Sequence, residues 1–185
     1  GNGKFEETAL MSNVAATDWS WSALFSDFDH DGNQDLFVSN GIPKRPNDLD
    51  YIKYVSSEQV VNTMVTTKLA DQKALSLMPS GLIRNYIYKG SGSYGFEDKS
   101  SSWLPDETTC SAATALADLD NDGDLDIVIN NIDDKPGIYI NQINNSANYL
   151  KIKLKFTKAN HFGIGARVYS YHQGVLQFKE MYTVR

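Results

Sequence analysis

One cysteine, Cys110, stands in 185 residues. A single thiol excludes an intrachain disulfide, a zinc cluster built on several cysteines and a CxxC redox pair, and leaves Cys110 as a small core residue near the start of a strand. Histidine is nearly as scarce, at three residues. His30 lies inside an acidic loop and is expected to point to solvent, while His161 and His172 have no partner that the sequence assigns, so no acid–base constellation is evident. No apolar run is long enough to span a bilayer, and no basic stripe follows one face or segment, which excludes the electrostatic footprint of a nucleic-acid binder. Gly163-Ile164-Gly165 lacks the third glycine, the following helix and the ribose-binding acid of a dinucleotide site, and is a tight bend between strands.

Asp27-Phe28-Asp29-His30-Asp31-Gly32-Asn33-Gln34-Asp35 and Asp118-Leu119-Asp120-Asn121-Asp122-Gly123-Asp124-Leu125-Asp126 are two copies of D-x-D-x-D-G-x-x-D. Four carboxylates in nine residues repel one another unless a cation sits among them, and hard divalent ions such as Ca²⁺ take six to eight oxygen ligands. Each loop is therefore expected to hold one Ca²⁺. The ligands would be the side chains of Asp27, Asp29, Asp31 and Asp35 in the first loop and of Asp118, Asp120, Asp122 and Asp126 in the second. The backbone carbonyls of Asn33 and Asp124 would complete the protein's share, so the acid at 124 is present for some reason other than its side chain. Glycine at the sixth position allows the sharp turn.

An EF-hand needs a glutamate at the twelfth position and flanking helices. Here that position is Val38 or Ile129, and the flanks, Ala23-Leu24-Phe25 with Leu36-Phe37-Val38 and Ala115-Leu116-Ala117 with Ile127-Val128-Ile129, have strand character. The unit is strand, calcium loop, strand. The formal charge of −6 belongs to these loops: with their eight odd-position ligand aspartates set aside, 15 acids face 17 bases.

The loops repeat at an offset of 91 residues, and the similarity extends outside them. Gly3-Lys4-Phe5 is matched by Gly95-Phe96; apolar segments lead into each loop; strands ending in Ser39-Asn40 and Asn130-Asn131 follow; Asn85-Tyr86-Ile87-Tyr88 has its counterpart in Gly137-Ile138-Tyr139-Ile140-Asn141. This order resembles the FG-GAP or VCBS repeats of β-propeller proteins, in which each repeat is similar to one four-stranded blade. Asn148-Tyr149-Leu150-Lys151-Ile152-Lys153-Leu154, with Asn160 to Val168, is similar to the opening of the ASPIC/UnbV domain that follows such repeats in proteins of the cartilage acidic protein type. The fold class expected is mainly β, a propeller fragment of two blades with a helical insertion. Residues 1–42 carry the first repeat and its loop, 43–83 the insertion, 84–147 the end of the first blade and the second repeat, and 148–185 the ASPIC/UnbV-like region.

Within the insertion, Asp48 is placed to cap a short helix carrying Leu49, Ile52 and Val55. Ser56 with Gln59 has capping-box spacing for a second helix that carries Val60, Val61, Met64, Val65, Leu69 and Leu75. Their apolar faces are expected to pack on the propeller surface. Trp19, Trp21 and Trp103 would stack on sugars if exposed, but tryptophans beside apolar strands usually belong to the core.

The resemblance implies a calcium-binding, non-enzymatic module of an exported, cell-surface or periplasmic protein that recognises a protein or a glycan. The alternatives are an accessory part of an exported polysaccharide-processing enzyme and a structural spacer. Loops of this charge density suit millimolar extracellular Ca²⁺. The chain carries no signal peptide, and one would be expected upstream of a first residue that falls inside a repeat. Two blades leave unpaired strand edges, which would favour self-association.

Overall fold

The computed structural model describes residues 5–57, 75–143, 149–156 and 159–182. It is mainly β. Strands β1 (Ser20–Ser26) and β2 (Asp35–Asn40) pair antiparallel across the first acidic loop. Strand β2 then pairs with β5 (Tyr86–Gly90), and β5 with β6 (Phe96–Asp98), giving a four-stranded antiparallel meander in the order β1-β2-β5-β6. The second sheet repeats this plan: β7 (Ser111–Ala117), the second acidic loop, β8 (Asp126–Asn131) and β9 (Gly137–Tyr139), all antiparallel. The repeat is kept in register as well as in sequence. Ser26 faces Asp35 and Leu36 faces Tyr88 in the first sheet, and Ala117 faces Asp126 and Ile127 faces Tyr139 in the second.

Alternation along the strands decides what lies between the sheets, because successive side chains point to opposite faces. Phe37 and Ile87 from the first sheet meet Ile127 and Ile129 from the second in a core that also holds Phe28, with Trp103, Leu104, Leu116 and Tyr139 packed around it. Trp103 comes from the short helix α2 (Ser100–Trp103) that links the sheets. The other face of the first sheet, with Leu36, Val38 and Tyr88, is covered by Val14, Tyr86 and Phe96. A polar seam joins the sheets at the far end from the loops. Asn40 donates its N–H to Asn85 Oδ1 at 2.9 Å, Asn85 Nδ2 donates to Ser111 Oγ at 2.9 Å, and the Ser111 hydroxyl donates to Asn131 Oδ1 at 2.8 Å. Cys110 is buried beside this seam.

The insertion leaves the first sheet between β2 and β5. Its ends are pinned by a short antiparallel ribbon of β3 (Ile42–Lys44) and β4 (Ser80–Gly81), and the Arg45 N–H donates to Pro79 O at 2.9 Å. Holding the two ends together lets the meander continue as if a turn stood there. Helix α1 (Leu49–Val55) begins as its spacing predicts, with Asp48 Oδ1 accepting from the Tyr51 N–H at 2.8 Å. It buries none of its residues, and Leu49 and Ile52 are exposed, so α1 does not pack on the sheets as expected. Most of the second expected helix lies outside the described residues. Towards the C-terminus, β10 (Arg167–His172) and β11 (Val175–Glu180) form a hairpin of their own, preceded by a bend in which Gly163 and Gly165 both have positive φ.

Candidate metal centre

Both acidic loops are built by the same backbone. The fourth residue, His30 or Asn121, and the sixth, Gly32 or Gly123, all take positive φ, at 56°, 64°, 90° and 101°. Asparagine and histidine are among the non-glycine residues that adopt that conformation most often, and at the sixth position glycine removes the penalty altogether. The third and fifth carboxylates turn back on the chain. Asp29 Oδ1 accepts from the Asp31 N–H and Asp31 Oδ1 from the Asn33 N–H, at 3.2 and 2.8 Å; Asp120 and Asp122 do the same for the Asp122 and Asp124 N–H groups, at 3.3 and 3.2 Å.

The ninth-position aspartates close each loop onto its sheet. Asp35 Oδ2 accepts from the Phe28 N–H at 2.8 Å and its Oδ1 from the Gly90 N–H at 2.9 Å. Asp126 Oδ2 accepts from the Leu119 N–H at 2.7 Å and its Oδ1 from the Asn141 N–H at 2.9 Å. Both carboxylates are fully buried. Burial outweighs these hydrogen bonds for Asp35 and raises its pKa.

The carboxylates converge, though not as one complete set. In the first loop Asp27, Asp29 and Asp35 bring oxygens within 4.8 Å of one another, and in the second Asp118, Asp120 and Asp122 do so. Asp31 is turned aside to Lys89, whose ammonium also contacts Asp29. Burial acts to raise the Asp31 pKa, but the Lys89 contact and the Asn33 amides prevail and lower it, while the two aspartates push the Lys89 ammonium up. In the second loop Lys151 reaches Asp118 Oδ2 at 2.7 Å and holds its pKa down. The ring of Tyr149 lies over Gly123, 2.4 Å from where a Cβ would stand.

Whether a cation fits is answered by the atoms left over. Asp27 Oδ1 and Asp118 Oδ1, the same atom at the first position of each loop, are buried without a hydrogen-bond partner. An orphaned buried carboxylate oxygen costs a few kcal/mol, and its recurrence at equivalent points of two loops fits a ligand atom facing a cation. Burial raises the pKa of Asp27, the effect expected of a carboxylate without a counter-charge.

Asp124 is expected to offer only its backbone carbonyl to the ion, yet its side chain is not free in solvent. Its side chain is fully buried, neither oxygen has a hydrogen-bond partner, and burial together with the charges of Asp122 and Asp126 pushes its pKa up to about 6. His30, expected to point to solvent, is half-buried. Lys89, Lys151 and Tyr149 were not singled out as site residues by the sequence. One signal was available for the first: aligning the repeats sets Lys89-Gly90 opposite Ile140-Asn141, a charge where the second repeat has an aliphatic side chain.

Of the three tryptophans, Trp103 packs against the core, whereas Trp19 and Trp21 are 45% and 55% exposed. Trp19 stands just before the edge strand β1 and Trp21 within it, where the Trp21 indole N–H donates to Gly41 O at 2.7 Å.

Comparison with known families agrees with the repeat. Residues 75–129 match the model of the FG-GAP-like repeat. That span takes in β4, strands β5 and β6 of the first sheet, α2, β7, the second acidic loop and part of β8, so the family's unit straddles the two sheets. No curated protein and no solved structure matches the chain. A mainly β architecture of antiparallel meanders, with an FG-GAP-like repeat across their junction, is that of a β-propeller fragment.

Proposed function

We propose that the two loops are structural Ca²⁺ sites in a non-enzymatic recognition module of an exported or cell-surface protein. The observation that carries the metal assignment is the pair of buried, unpartnered Oδ1 atoms of Asp27 and Asp118 at equivalent positions. The first loop would hold its ion through Asp27, Asp29, Asp31, the carbonyl of Asn33 and Asp35. The second would use Asp118, Asp120, Asp122, the carbonyl of Asp124 and Asp126. Oxygen-only donor sets of this kind suit a hard cation. When bound, the ion neutralises carboxylates that otherwise repel one another. The chain's part is to present them at the ends of two paired strands, with Asp35 and Asp126 already locked to the sheets.

Recognition of a protein or glycan is supported by a shallow concavity lined by Asp18, Trp19, Ser20, Arg45 and Asn47. Asp18 and Arg45 form a two-oxygen ion pair at 2.9 and 3.0 Å beside the exposed indole of Trp19. An exposed ring flanked by fixed polar groups is the chemistry that binds sugars and polar peptide segments. An accessory role in a polysaccharide-processing enzyme uses the same surface, and a spacer role uses none of it. Similarity of residues 148–185 to the opening of an ASPIC/UnbV domain rests on the sequence, together with the β10–β11 hairpin. Among the described residues no helix is long and apolar enough to cross a membrane.

The test is a pair of thermal melts, one in excess calcium and one in excess chelator. At free Ca²⁺ a hundredfold above its dissociation constant each site stabilises the fold by about 2.7 kcal/mol. Identical melting temperatures in the two conditions would make the loops ordinary acidic turns.

A further inference from the structure

The two loops share sequence, register and backbone, yet they differ in the cation that the chain itself supplies. In the first, Lys89 projects from the end of β5 and its ammonium contacts both Asp29 and Asp31, the third- and fifth-position carboxylates; its side chain is 30% exposed. At the equivalent point of the second repeat stands Ile140, which has no charge. The lysine near the second loop, Lys151, is of another kind. It comes from the stretch 149–156, which has no regular secondary structure, pairs among the described residues with Asp118 alone, and is 58% exposed. Lys151 can withdraw into solvent when a cation arrives. Lys89 is rooted on a central strand of the first sheet, one residue before the Gly90 N–H that Asp35 accepts, so its charge stays near the loop.

Building on the calcium assignment above, we infer that Lys89 is a tethered competitor that makes the first loop the weaker of two unequal calcium sites. An ion entering the first loop must displace the ammonium from Asp29 and Asp31 and then tolerate a positive charge close by. An ion entering the second loop meets only a surface lysine. Each loop brings three carboxylates together, and they differ in which one stands apart: Asp31, held by Lys89, is missing from the first cluster, and Asp126 from the second.

The experiment is calcium titration of the full chain by isothermal calorimetry, repeated with Lys89→Ile, which copies the second repeat, with Lys89→Met as a second neutral variant and with Lys89→Arg, which keeps the charge. Asp27→Asn and Asp118→Asn assign each binding step to a loop. The unmutated chain is expected to bind in two steps, the tighter one lost in Asp118→Asn. Lys89→Ile and Lys89→Met should strengthen the first-loop step about tenfold, the effect of two partly exposed ion pairs together. The second-loop step should not change, and Lys89→Arg should behave like the unmutated chain. Raising the salt concentration should narrow the gap between the steps. Two equal steps in the unmutated chain, or a first-loop constant indifferent to both neutral substitutions in folded protein, overturns the role of Lys89 while leaving the calcium sites standing. Absence of calcium binding in every variant overturns both.

Discussion

Asp35 and Asp126, the ninth residues of the two loops, are joined through two intermediates. Asp126 accepts the Asn141 N–H, Asn141 Nδ2 donates to Phe28 O at 2.8 Å, and the Phe28 N–H is held by Asp35. The loops are therefore parts of one hydrogen-bonded frame across the junction of the sheets. Asn141 Nδ2 is the only side-chain donor in the run, since the others are backbone N–H groups donating to the two aspartate carboxylates.

Asn141→Ala removes that link and leaves the carbonyl of Phe28 without its donor. The expected cost is about 1 kcal/mol, measured by denaturant unfolding in calcium. The Asp126 contact survives, since it uses the Asn141 backbone. A loss no greater than that of an exposed asparagine elsewhere would show that the cross-link contributes nothing.

Asp118→Ala and Asp27→Ala each delete a first-position ligand. Both should lower the calcium-dependent gain in melting temperature, by up to the roughly 2.7 kcal/mol per site set by binding linkage. In chelator Asp27→Ala should be neutral or mildly stabilising, because it removes a buried, unpartnered oxygen on a carboxyl whose pKa burial raises, whereas Asp118→Ala also removes the ion pair with Lys151 and should cost a little stability. Opposite signs in the two conditions for Asp27→Ala are the outcome that separates a metal ligand from an ordinary structural aspartate.

Asp124 gives a pH dependence whose direction is fixed by burial. Its folded pKa of about 6 stands above the ordinary value of 3.8, so the fold favours the protonated acid. In chelator its contribution is most favourable below about pH 4 and is lost as pH rises through about 6. Asp124→Asn should therefore raise the metal-free stability at pH 7.5, on the order of 2 kcal/mol, and the gap should close toward pH 4. Asp27 and Asp35 act in the same direction and Asp31 and Asp118 in the opposite one. For that reason the difference between variant and unmutated chain is the diagnostic quantity, followed by thermal melts across pH.

The repeat also predicts association. Ile87 and Ile138 occupy equivalent places on β5 and β9, yet Ile87 is 3% exposed under the second sheet and Ile138 is 57% exposed. With Ile140, 42% exposed, it forms an apolar patch that has no covering sheet, whereas Ile87 at the place of Ile138 is covered by one. Light scattering should show mass rising with protein concentration, and Ile138→Asp should restore the monomer. A strictly monomeric unmutated chain at all concentrations removes the prediction.

What the sequence determined by itself is everything that depends on local spacing. The strand–loop–strand units, the glycines at the sixth positions, the four-carboxylate ladders and the Asp48 cap follow from short-range stereochemistry, which a nine-residue pattern and its offset copy express completely. Tertiary structure decided which groups meet across the chain. Lys89 is more than fifty residues from the loop it neutralises, and its charge matters only because β5 pairs with β2. The Asp124 carboxylate is buried by packing that the nine-residue pattern does not express. Trp19 and Trp21 have the composition of core residues, yet the fold leaves them exposed at the edge strand β1. Burial and electrostatics are sums over neighbours brought together by the fold, and a local pattern carries no record of them.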